Sequence, residues 1–283
     1  NKKLIKNRIN KIYILSRSAK FSQNKKKHIS ITYINKSMLD VNKLPQVDYI
    51  IYCLKNSNIK TSLSYFNQFL KILKNFKKKP KILFTSSGAV YGKNINKKKD
   101  IESKKIDNIL IDNFVGYKKK YAKEKVFLEE KFKELAKKNY NVSIARCYTF
   151  IGKNIIHYDY AISDLINAAN SKNKIILNSY IDVFRSYMHS DDLSNWLITI
   201  LKNSNTKCPI YNVGSDRVIN LKSLTKKIGI MTNKKISIKI KKSKKFDYYI
   251  PSITKAYKEL NLKISIDLND ALNSIIKRPN DKN

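Results

Sequence analysis

Cysteine is scarce in the 283-residue sequence, and its three copies, Cys53, Cys147 and Cys208, lie far apart. An odd number of widely spaced cysteines fits neither a disulfide framework nor a zinc cluster, so we expect a reducing, cytoplasmic environment. Long apolar runs are also missing, since none approaches the roughly 20 residues that a membrane-spanning helix needs. The first residues are basic but have no apolar core, which is not the pattern of a signal peptide. We therefore expect no membrane partner.

Acidic residues are few, because 21 Asp and Glu stand against 59 Lys and Arg and leave a formal net charge of +38. Such a charge suggests nucleic acid as a partner. Arginine, the side chain that groove-reading and phosphate-binding proteins favour, occurs only six times, and the lysines are spread along the chain. Asn and Ile are abundant too and share A/T-rich codons with Lys. We attribute the charge to base composition and expect no nucleic-acid partner.

The sequence does contain enough apolar material for a buried core. Its 42% hydrophobic residues and 18 tyrosines exclude an intrinsically disordered chain. Short apolar runs alternate with segments of helical periodicity, which predicts an α/β fold with a Rossmann-type parallel sheet flanked by helices. The predicted strands are 11–16, 28–33, 48–54, 81–85 and 141–146, and the predicted helices are 63–76, 114–138 and 192–201, the last capped by Ser190 or Asp191.

Polar residues follow several of the predicted strands. Because a parallel sheet binds its ligands beyond the carboxyl ends of its strands, these residues are candidates for the chemistry of the protein. They are Ser16-Arg17, Leu54-Lys55-Asn56, Thr85-Ser86-Ser87 and Tyr148-Thr149.

A tyrosine and a lysine lie four residues apart in the long predicted helix. Tyr121 and Lys125 share one helix face with an apolar stripe that includes Phe114, Tyr117 and Leu128. A nearby ammonium group favours the phenolate and lowers the pKa of a tyrosine from its usual value of about 10. The pair would then be a general base near neutral pH. The alternative is a chance pairing in a lysine-rich chain.

A serine-rich turn comes before this helix. Residues 81–92 read KILFTSSGAVYG, which is a buried strand, hydroxyl side chains at its carboxyl end and a loop with two glycines. A serine at this place could hydrogen-bond a substrate hydroxyl and share its proton. The alternative is an ordinary polar turn. Strand, serine turn and YxxxK helix follow each other in the order that a hydride-transfer site requires.

With these motifs the sequence resembles the extended short-chain dehydrogenases/reductases, the NAD-dependent epimerase/dehydratase family that modifies nucleotide sugars. The resemblance covers essentially the whole chain. It includes TSSGAVYG at 85–92, YAKEK at 121–125, IARCYTFIG at 144–152, FRSYMHSDDL at 184–193, YNVGS at 211–215 and YIPSITKAYKELNL at 249–262.

The resemblance implies roles for individual residues. Tyr121 would deprotonate a sugar hydroxyl, Ser87 would share the proton, and Lys125 would lower the pKa of Tyr121 and hold the nicotinamide ribose. The hydride would pass to the nicotinamide ring and leave a transient keto-sugar. Arg17, Leu54, Lys125 and Thr149 would bind the cofactor, and Ser87, Thr149 and Arg185 the substrate. For Arg185, which would hold the substrate diphosphate, an ion pair with Asp191 or Asp192 is the alternative.

The resemblance also implies an organisation in two domains. Residues 1–151 with about 184–215 would form the NAD(P)-binding domain, and about 152–183 with 216–283 the nucleotide-sugar domain, which is a smaller α/β unit. A homodimer is the habit of the family. We expect no metal site, because His157 and His189 have no paired ligands and are predicted to be structural, and we expect Trp196 to lie in the core.

The sequence departs from the family at its start. None of the six glycines forms the GxxGxxG turn that cradles the dinucleotide pyrophosphate, and the strand at 11–16 looks like the second strand of the family. We expect a first strand and helix to precede Asn1, and we expect the chain without them to bind cofactor poorly. Arg17 stands where NAD-using members carry an acidic residue, which favours NADP. The alternative is an ordinary surface arginine.

A second departure concerns the reaction. The 4,6-dehydratases of the family carry an Asp-Glu pair after the catalytic serine or threonine, and this chain has Gly88 and Ala89 instead. We therefore expect a nucleotide-sugar epimerase or keto-reductase that serves polysaccharide synthesis. The alternatives are a dehydratase similar to dTDP-glucose 4,6-dehydratase, and an inactive fragment or basic binding module.

Overall fold

The structure is a computed structural model that describes residues 10–17, 29–56, 58–152, 160–172, 174–240 and 245–276. Its strands are β1 (Lys11–Leu15), β2 (Ser30–Ile34), β3 (Tyr49–Tyr52), β4 (Lys81–Ser87), β5 (Val142–Cys147), β6 (Phe150–Ile151), β7 (Lys174–Ser179), β8 (Asp182–Arg185), β9 (Met188–His189), β10 (Ile210–Val213), β11 (Ile219–Asn220), β12 (Lys235–Ile240) and β13 (Phe246–Tyr249). Its α-helices are α1 (Ile59–Lys74), α2 (Asn108–Asp112), α3 (Gly116–Lys137), α4 (Ala161–Ser171), α5 (Ser190–Lys202), α6 (Leu221–Thr232), α7 (Thr254–Leu260) and α8 (Leu268–Asn273).

A parallel sheet in the order β10-β5-β4-β3 forms the centre of the fold. Strand β4 alternates between its two faces: Ile82 and Phe84 pack on α1 and α3, while Leu83 packs on the side of α5. Both faces of the sheet are therefore covered by helices, as the continuous apolar runs of its strands predicted. The expected α/β architecture with a parallel sheet flanked by helices is confirmed.

Strands β1 and β2 pair in parallel as a separate two-stranded sheet. Leu15, the last residue of β1, packs against the same apolar cluster as Phe84. The strand predicted at 28–33 is observed over Ser30–Ile34, and His28 lies outside the described residues. Within the described ranges, no backbone ladder joins this small sheet to the central one.

The helices begin and end close to the predicted positions. Helix α1 starts four residues before the predicted Leu63, because the Asn58 side chain accepts a hydrogen bond from the Thr61 N–H and caps the helix there. Helix α5 is capped by His189, whose Nδ1 accepts from the Asp191 N–H at 3.2 Å, so the prediction of Ser190 or Asp191 as the cap is wrong. Trp196 on α5 is fully buried, as expected.

A second apolar cluster lies among the elements that follow β5. It joins α4, β7, α6 and α8, beside the small sheets β12-β7 and β11-β8-β13. The division into a cofactor domain and a substrate domain stays a prediction. Among the described residues, no helix is both long enough and apolar enough to cross a bilayer.

Candidate active site

The carboxyl ends of β3, β4 and β5 meet at one edge of the central sheet. Ser87 is the last residue of β4 and pairs in register with Cys147, the last residue of β5. Leu54 follows β3 by two residues. Helix α3 passes this edge and brings Tyr121 and Lys125 to it. The predicted trio of Ser87, Tyr121 and Lys125 therefore comes together in the structure.

Lys125 is buried among backbone carbonyls and aromatic rings. Its Nζ donates to the carbonyl oxygens of Leu54 and Thr85, each at 3.3 Å, and lies 5.0 Å from the centre of the Phe84 ring. The distance from Nζ to the centre of the Tyr121 ring is 5.6 Å. Lysine and tyrosine thus share one helix face, as their spacing predicted.

Ser87 lies at the end of β4, near Tyr121. Its Oγ accepts a hydrogen bond from the Ala89 N–H at 3.2 Å, and its hydroxyl lies near enough to Tyr121 to act on the pKa of the phenol. The side chain is buried, and the turn that follows it is a 3₁₀ helix over Gly88–Tyr91. The serine hydroxyl is therefore held in place by its own turn.

The expected lowering of the Tyr121 pKa by Lys125 is wrong for this structure. Burial raises the pKa of Tyr121 above its ordinary value, because a phenolate loses its hydration there, and the nearby Ser87 hydroxyl acts in the opposite direction without outweighing burial. Burial also lowers the pKa of Lys125. The Lys125 ammonium is directed at the Leu54 and Thr85 carbonyls instead of the phenol oxygen. The site as it stands holds Tyr121 as a neutral phenol.

The apolar stripe predicted on α3 is interrupted at its start. Tyr117 is 52% exposed, and Phe114 precedes the helix, which begins at Gly116. The Tyr117 ring stacks on the Tyr121 ring at 6.0 Å, and the Lys55 ammonium lies 5.3 Å from the centre of the Tyr117 ring. Tyr117 therefore covers Tyr121 on the solvent side and is not a core residue.

A cavity of about 390 Å³ is lined by Tyr148 and Tyr160, which lie close to Gly88 and Tyr121, but by none of the trio itself. Its lining includes Thr149, Tyr160 and Arg185, and Tyr160 lies near enough to Tyr121 to raise its pKa. Thr149 donates its hydroxyl to the Ser186 carbonyl, so this side chain already has a backbone partner. Two of the three residues predicted to bind substrate, Thr149 and Arg185, line the same cavity.

Arg185 forms its ion pair with a residue that the sequence did not indicate. Its Nη2 donates to Asp247 Oδ2 at 2.6 Å, and Lys118 lies 3.8 Å from the same oxygen. The alternative pairing with Asp191 or Asp192 is therefore wrong. Asp247 lies on β13, far along the chain, and no local pattern could have matched it to Arg185.

Arg17 lies apart from these residues. It is exposed at the carboxyl end of β1, on the separate two-stranded sheet, and among the described contacts none joins it to the trio. His157 lies outside the described residues. Within the described ranges no three His, Cys, Asp or Glu side chains are grouped to hold a metal ion.

Tyr249 is a site residue that the sequence analysis missed. It is the last residue of β13, and its Oη lies 3.2 Å from Ser87 Oγ. Its ring packs against Tyr148 with 4.5 Å between the ring centres. The alternating pattern of a short strand could have indicated a buried tyrosine. No local pattern could have related it to Ser87, which lies 162 residues earlier in the chain.

The ring of Tyr148 also explains the glycine that follows Ser87. A Cβ atom added at Gly88 would lie 2.4 Å from Tyr148 Cζ, well inside van der Waals contact. The Tyr148 hydroxyl donates to Asp100 Oδ2 at 3.2 Å, which holds the ring there. The space of a side chain at position 88 is therefore filled by an aromatic ring.

Comparison with known proteins agrees with this architecture. The family model described as "NAD dependent epimerase/dehydratase family" matches residues 2–214. No match is found among curated protein sequences. The structure is similar to a UDP-glucose 4-epimerase of Thermotoga maritima with UDP-glucose, with a TM-score of 0.69 and 14% identity over 97% of this chain and 92% of that chain.

Two further solved structures share the fold. A dTDP-glucose 4,6-dehydratase of Bacillus anthracis in complex with NAD has a TM-score of 0.68 at 15% identity, over 88% of this chain and 79% of that chain. RMD of Pseudomonas aeruginosa complexed with NADPH has a TM-score of 0.63 at 17% identity, over 81% of this chain and 80% of that chain. With the family model matching most of its length, the chain belongs to the NAD-dependent epimerase/dehydratase family.

Proposed function

We propose that this protein is an NAD(P)-dependent enzyme that epimerises or reduces a nucleotide sugar through a keto-sugar. The observation that carries the proposal is the convergence of Ser87, Tyr121 and Lys125 at the carboxyl edge of the central sheet. A hydroxyl, a phenol and an ammonium group at one point are the parts that oxidation of an alcohol needs.

The roles follow from the contacts. Tyr121 would take the proton of a sugar hydroxyl in its ionised form, and Ser87, which lies near enough to Tyr121 to lower the pKa of the phenol, would share that proton. Lys125 and the strand ends around Leu54 would hold the nicotinamide, which would supply the acceptor, and later the donor, of the hydride on the sugar carbon. Tyr117 and the buried walls of the site limit the access of water to Tyr121.

Lys125 has the donor capacity that a nicotinamide ribose requires. An ammonium group has three N–H donors, and among the described residues Lys125 gives two of them to the Leu54 and Thr85 carbonyls. One donor is left for a ribose hydroxyl at the strand ends. The residues of this edge therefore fit the nicotinamide half of the cofactor, while no GxxGxxG turn in residues 1–283 supports the pyrophosphate half.

Position 88 favours epimerisation or keto-reduction over dehydration. Elimination of water needs a carboxylic acid and a base beside the sugar, and Gly88 and Ala89 carry neither. The Tyr148 ring fills the space that a side chain at position 88 would need. The likeness to a 4,6-dehydratase at 15% identity concerns the fold alone and does not outweigh this point.

The cavity of about 390 Å³ is the proposed nucleotide-sugar site. Arg185 and Lys118 share Asp247 as their counter-ion, and a diphosphate could replace that carboxylate on the two cations. Exposed Arg17 favours NADP over NAD. A homodimer in the cytoplasm stays part of the proposal.

The test is an incubation of the full-length gene product with a panel of nucleotide sugars and with NAD(H) and NADP(H), followed by mass spectrometry. Unchanged mass with a new isomer marks epimerisation, a gain of two hydrogens marks reduction, and loss of water marks dehydration. Absence of any turnover would favour the fragment or binding-module alternative.

The site assignment is tested by Tyr121→Phe. We expect turnover to fall by roughly 10²–10⁴-fold, because the phenol oxygen that moves the proton is removed while the ring stays. Tyr257→Phe on the exposed face of α7 is the matched control and should keep full activity. Full turnover of Tyr121→Phe would show that another group carries the proton.

A further inference from the structure

One carboxylate oxygen, Asp247 Oδ2, lies between two cations. Arg185 Nη2 donates to it at 2.6 Å, and Lys118 Nζ lies 3.8 Å from the same atom. Asp247 belongs to β13, Arg185 is the last residue of β8, and Lys118 lies in the first turn of α3. An anion that accepts from the same Arg185 N–H and contacts Lys118 must therefore take the place of this oxygen.

The Arg185 guanidinium does not depend on this carboxylate alone for its position. Its Nη1 donates to the carbonyl oxygen of Phe184 at 2.8 Å and to that of Asp247 at 3.0 Å. Both carbonyls belong to the paired strands β8 and β13, in which Asp247 is in register with Val183. If the Asp247 side chain turns away, two backbone acceptors still hold the guanidinium in place.

Arg185 also has donors left for a ligand. A guanidinium group has five N–H donors, and among the described residues Arg185 makes three hydrogen bonds, all from Nη1 and Nη2. The N–H of Nε and one N–H of Nη2 are left, and these two adjacent donors form a fork that suits a phosphate. Arg185 lines the cavity of about 390 Å³. The guanidinium is thus equipped to bind an anion there.

The charges at this point decide which anions can replace the carboxylate. Two cations and one carboxylate leave one positive charge. An anion with a single charge that takes the place of the carboxylate leaves this balance unchanged, and it first has to separate an ion pair with a 2.6 Å contact. A diphosphate brings at least two negative charges, so it neutralises both cations and can use the free donors of Arg185 as well. Only the diphosphate gains from the exchange.

The Asp247 side chain has room to leave. It is 30% exposed, so its carboxylate can turn to water by rotation about the bond from Cα to Cβ. The backbone of Asp247 stays paired with β8 during this rotation. The exchange therefore needs one side-chain rotation and no rearrangement of the strands.

We propose that Asp247 is a specificity-determining residue, an internal competitor whose carboxylate holds the place of a substrate phosphate and keeps singly charged anions off Arg185 and Lys118. The inference rests on the proposed function, in which the cavity beside Arg185 takes a nucleotide sugar. It deepens that function by assigning to Asp247 the selection for a diphosphate, at a cost in affinity. Asp247 contacts neither the sugar nor the hydride in this role and acts through the two cations.

The experiment measures the binding of inorganic pyrophosphate to the full chain by isothermal titration calorimetry. In Asp247→Asn, which removes the charge and keeps the size, we expect the dissociation constant to fall by roughly three- to thirtyfold, because the ligand no longer has to separate a charge-assisted pair. Asp216→Asn is the matched control. Asp216 is 38% exposed and pairs with Lys99 at 3.0 Å, so the net charge changes equally while the affinity should stay that of the unmodified protein.

Acetate provides a second readout, because it carries the same carboxylate group as Asp247. In Asp247→Asn, acetate should enter the place of the missing carboxylate and weaken pyrophosphate binding at constant ionic strength. In the unmodified protein the same acetate should have no effect, since Asp247 already occupies that place. A merely structural role of Asp247 would not produce a response to acetate that is confined to the variant. In Arg185→Gln/Asp247→Asn the gain in pyrophosphate affinity should disappear.

Several outcomes would overturn the role of Asp247. They are equal or weaker pyrophosphate binding by Asp247→Asn, binding too weak to measure in both proteins, an equal response of both to acetate, and a gain that persists in Arg185→Gln/Asp247→Asn. If nucleotide sugars are turned over and one of these results is obtained, only the role of Asp247 is wrong. If pyrophosphate and acetate behave as expected and no nucleotide sugar is turned over, the proposed function is wrong and the exchange of Asp247 for a diphosphate stands.

Discussion

The buried ion pair between Glu129 and Arg146 permits a quantitative prediction. Glu129 on α3 is fully buried, and the Arg146 side chain on β5 is 3% exposed. The Glu129 carboxylate accepts from Arg146 Nη2 at 2.7 Å, from Arg146 Nε at 3.0 Å and from Ser86 Oγ at 2.6 Å. The pair joins the helix of Tyr121 and Lys125 to the strands of the central sheet.

Removal of one charge should be costly, because it leaves the other charge buried without a partner. We expect Glu129→Gln to lose about 3–5 kcal/mol of the free energy of unfolding. At about 2–4 °C per kcal/mol for chains of roughly this size, the melting temperature should fall by about 6–20 °C. Thermal unfolding followed by circular dichroism measures it.

Glu130→Gln is a matched control on the next residue of the same helix. Glu130 is 58% exposed and pairs with Lys133 at the surface, so its loss should cost at most about 1 kcal/mol. Replacing both buried partners, as Glu129→Leu with Arg146→Met, should recover part of the loss, because no unpaired charge remains. Equal melting temperatures for Glu129→Gln and Glu130→Gln would refute the reasoning.

Two other substitutions test contacts near the candidate site. Gly88→Ala puts a methyl group 2.4 Å from Tyr148 Cζ and should cost about 1–3 kcal/mol in urea unfolding, whereas an unchanged midpoint would contradict the contact. Burial alone would raise the pKa of Asp247, but the cations of Arg185 and Lys118 outweigh burial and hold the pKa below its ordinary value. The stability that Asp247 adds is therefore complete above about pH 5 and is lost as the pH falls through its lowered folded-state pKa. The difference in melting temperature between the unmodified protein and Asp247→Asn should shrink between about pH 5 and pH 3, and a difference independent of pH would contradict this assignment.

Much of the fold could be predicted because buried parallel strands leave a strong local signal. The run around Lys81–Ser87 is apolar on both faces, and the structure covers both faces with helices. The pairing of Tyr121 with Lys125 was predictable for the same reason, since a spacing of four residues fixes a shared helix face without any knowledge of the rest of the chain.

What could not be predicted depends on contacts between distant segments. The partner of Arg185 is Asp247, 62 residues away, and the hydroxyl that contacts Ser87 Oγ comes from Tyr249, 162 residues away. The predicted direction of the Tyr121 pKa shift was wrong for a related reason. Burial decides the direction of this shift, and the depth at which a helix packs depends on the whole fold and not on the YxxxK spacing.

The segment that carries Tyr249 is fastened to a loop that lies far from it in sequence. The Asp100 N–H donates to the Ile250 carbonyl at 3.0 Å, and the Ser252 N–H donates to the Asp100 carbonyl at 2.7 Å. The backbone that carries Tyr249 can therefore move away from Ser87 only if these two backbone hydrogen bonds break, which makes a segment 149 residues distant from Asp100 part of the same rigid support as the serine turn.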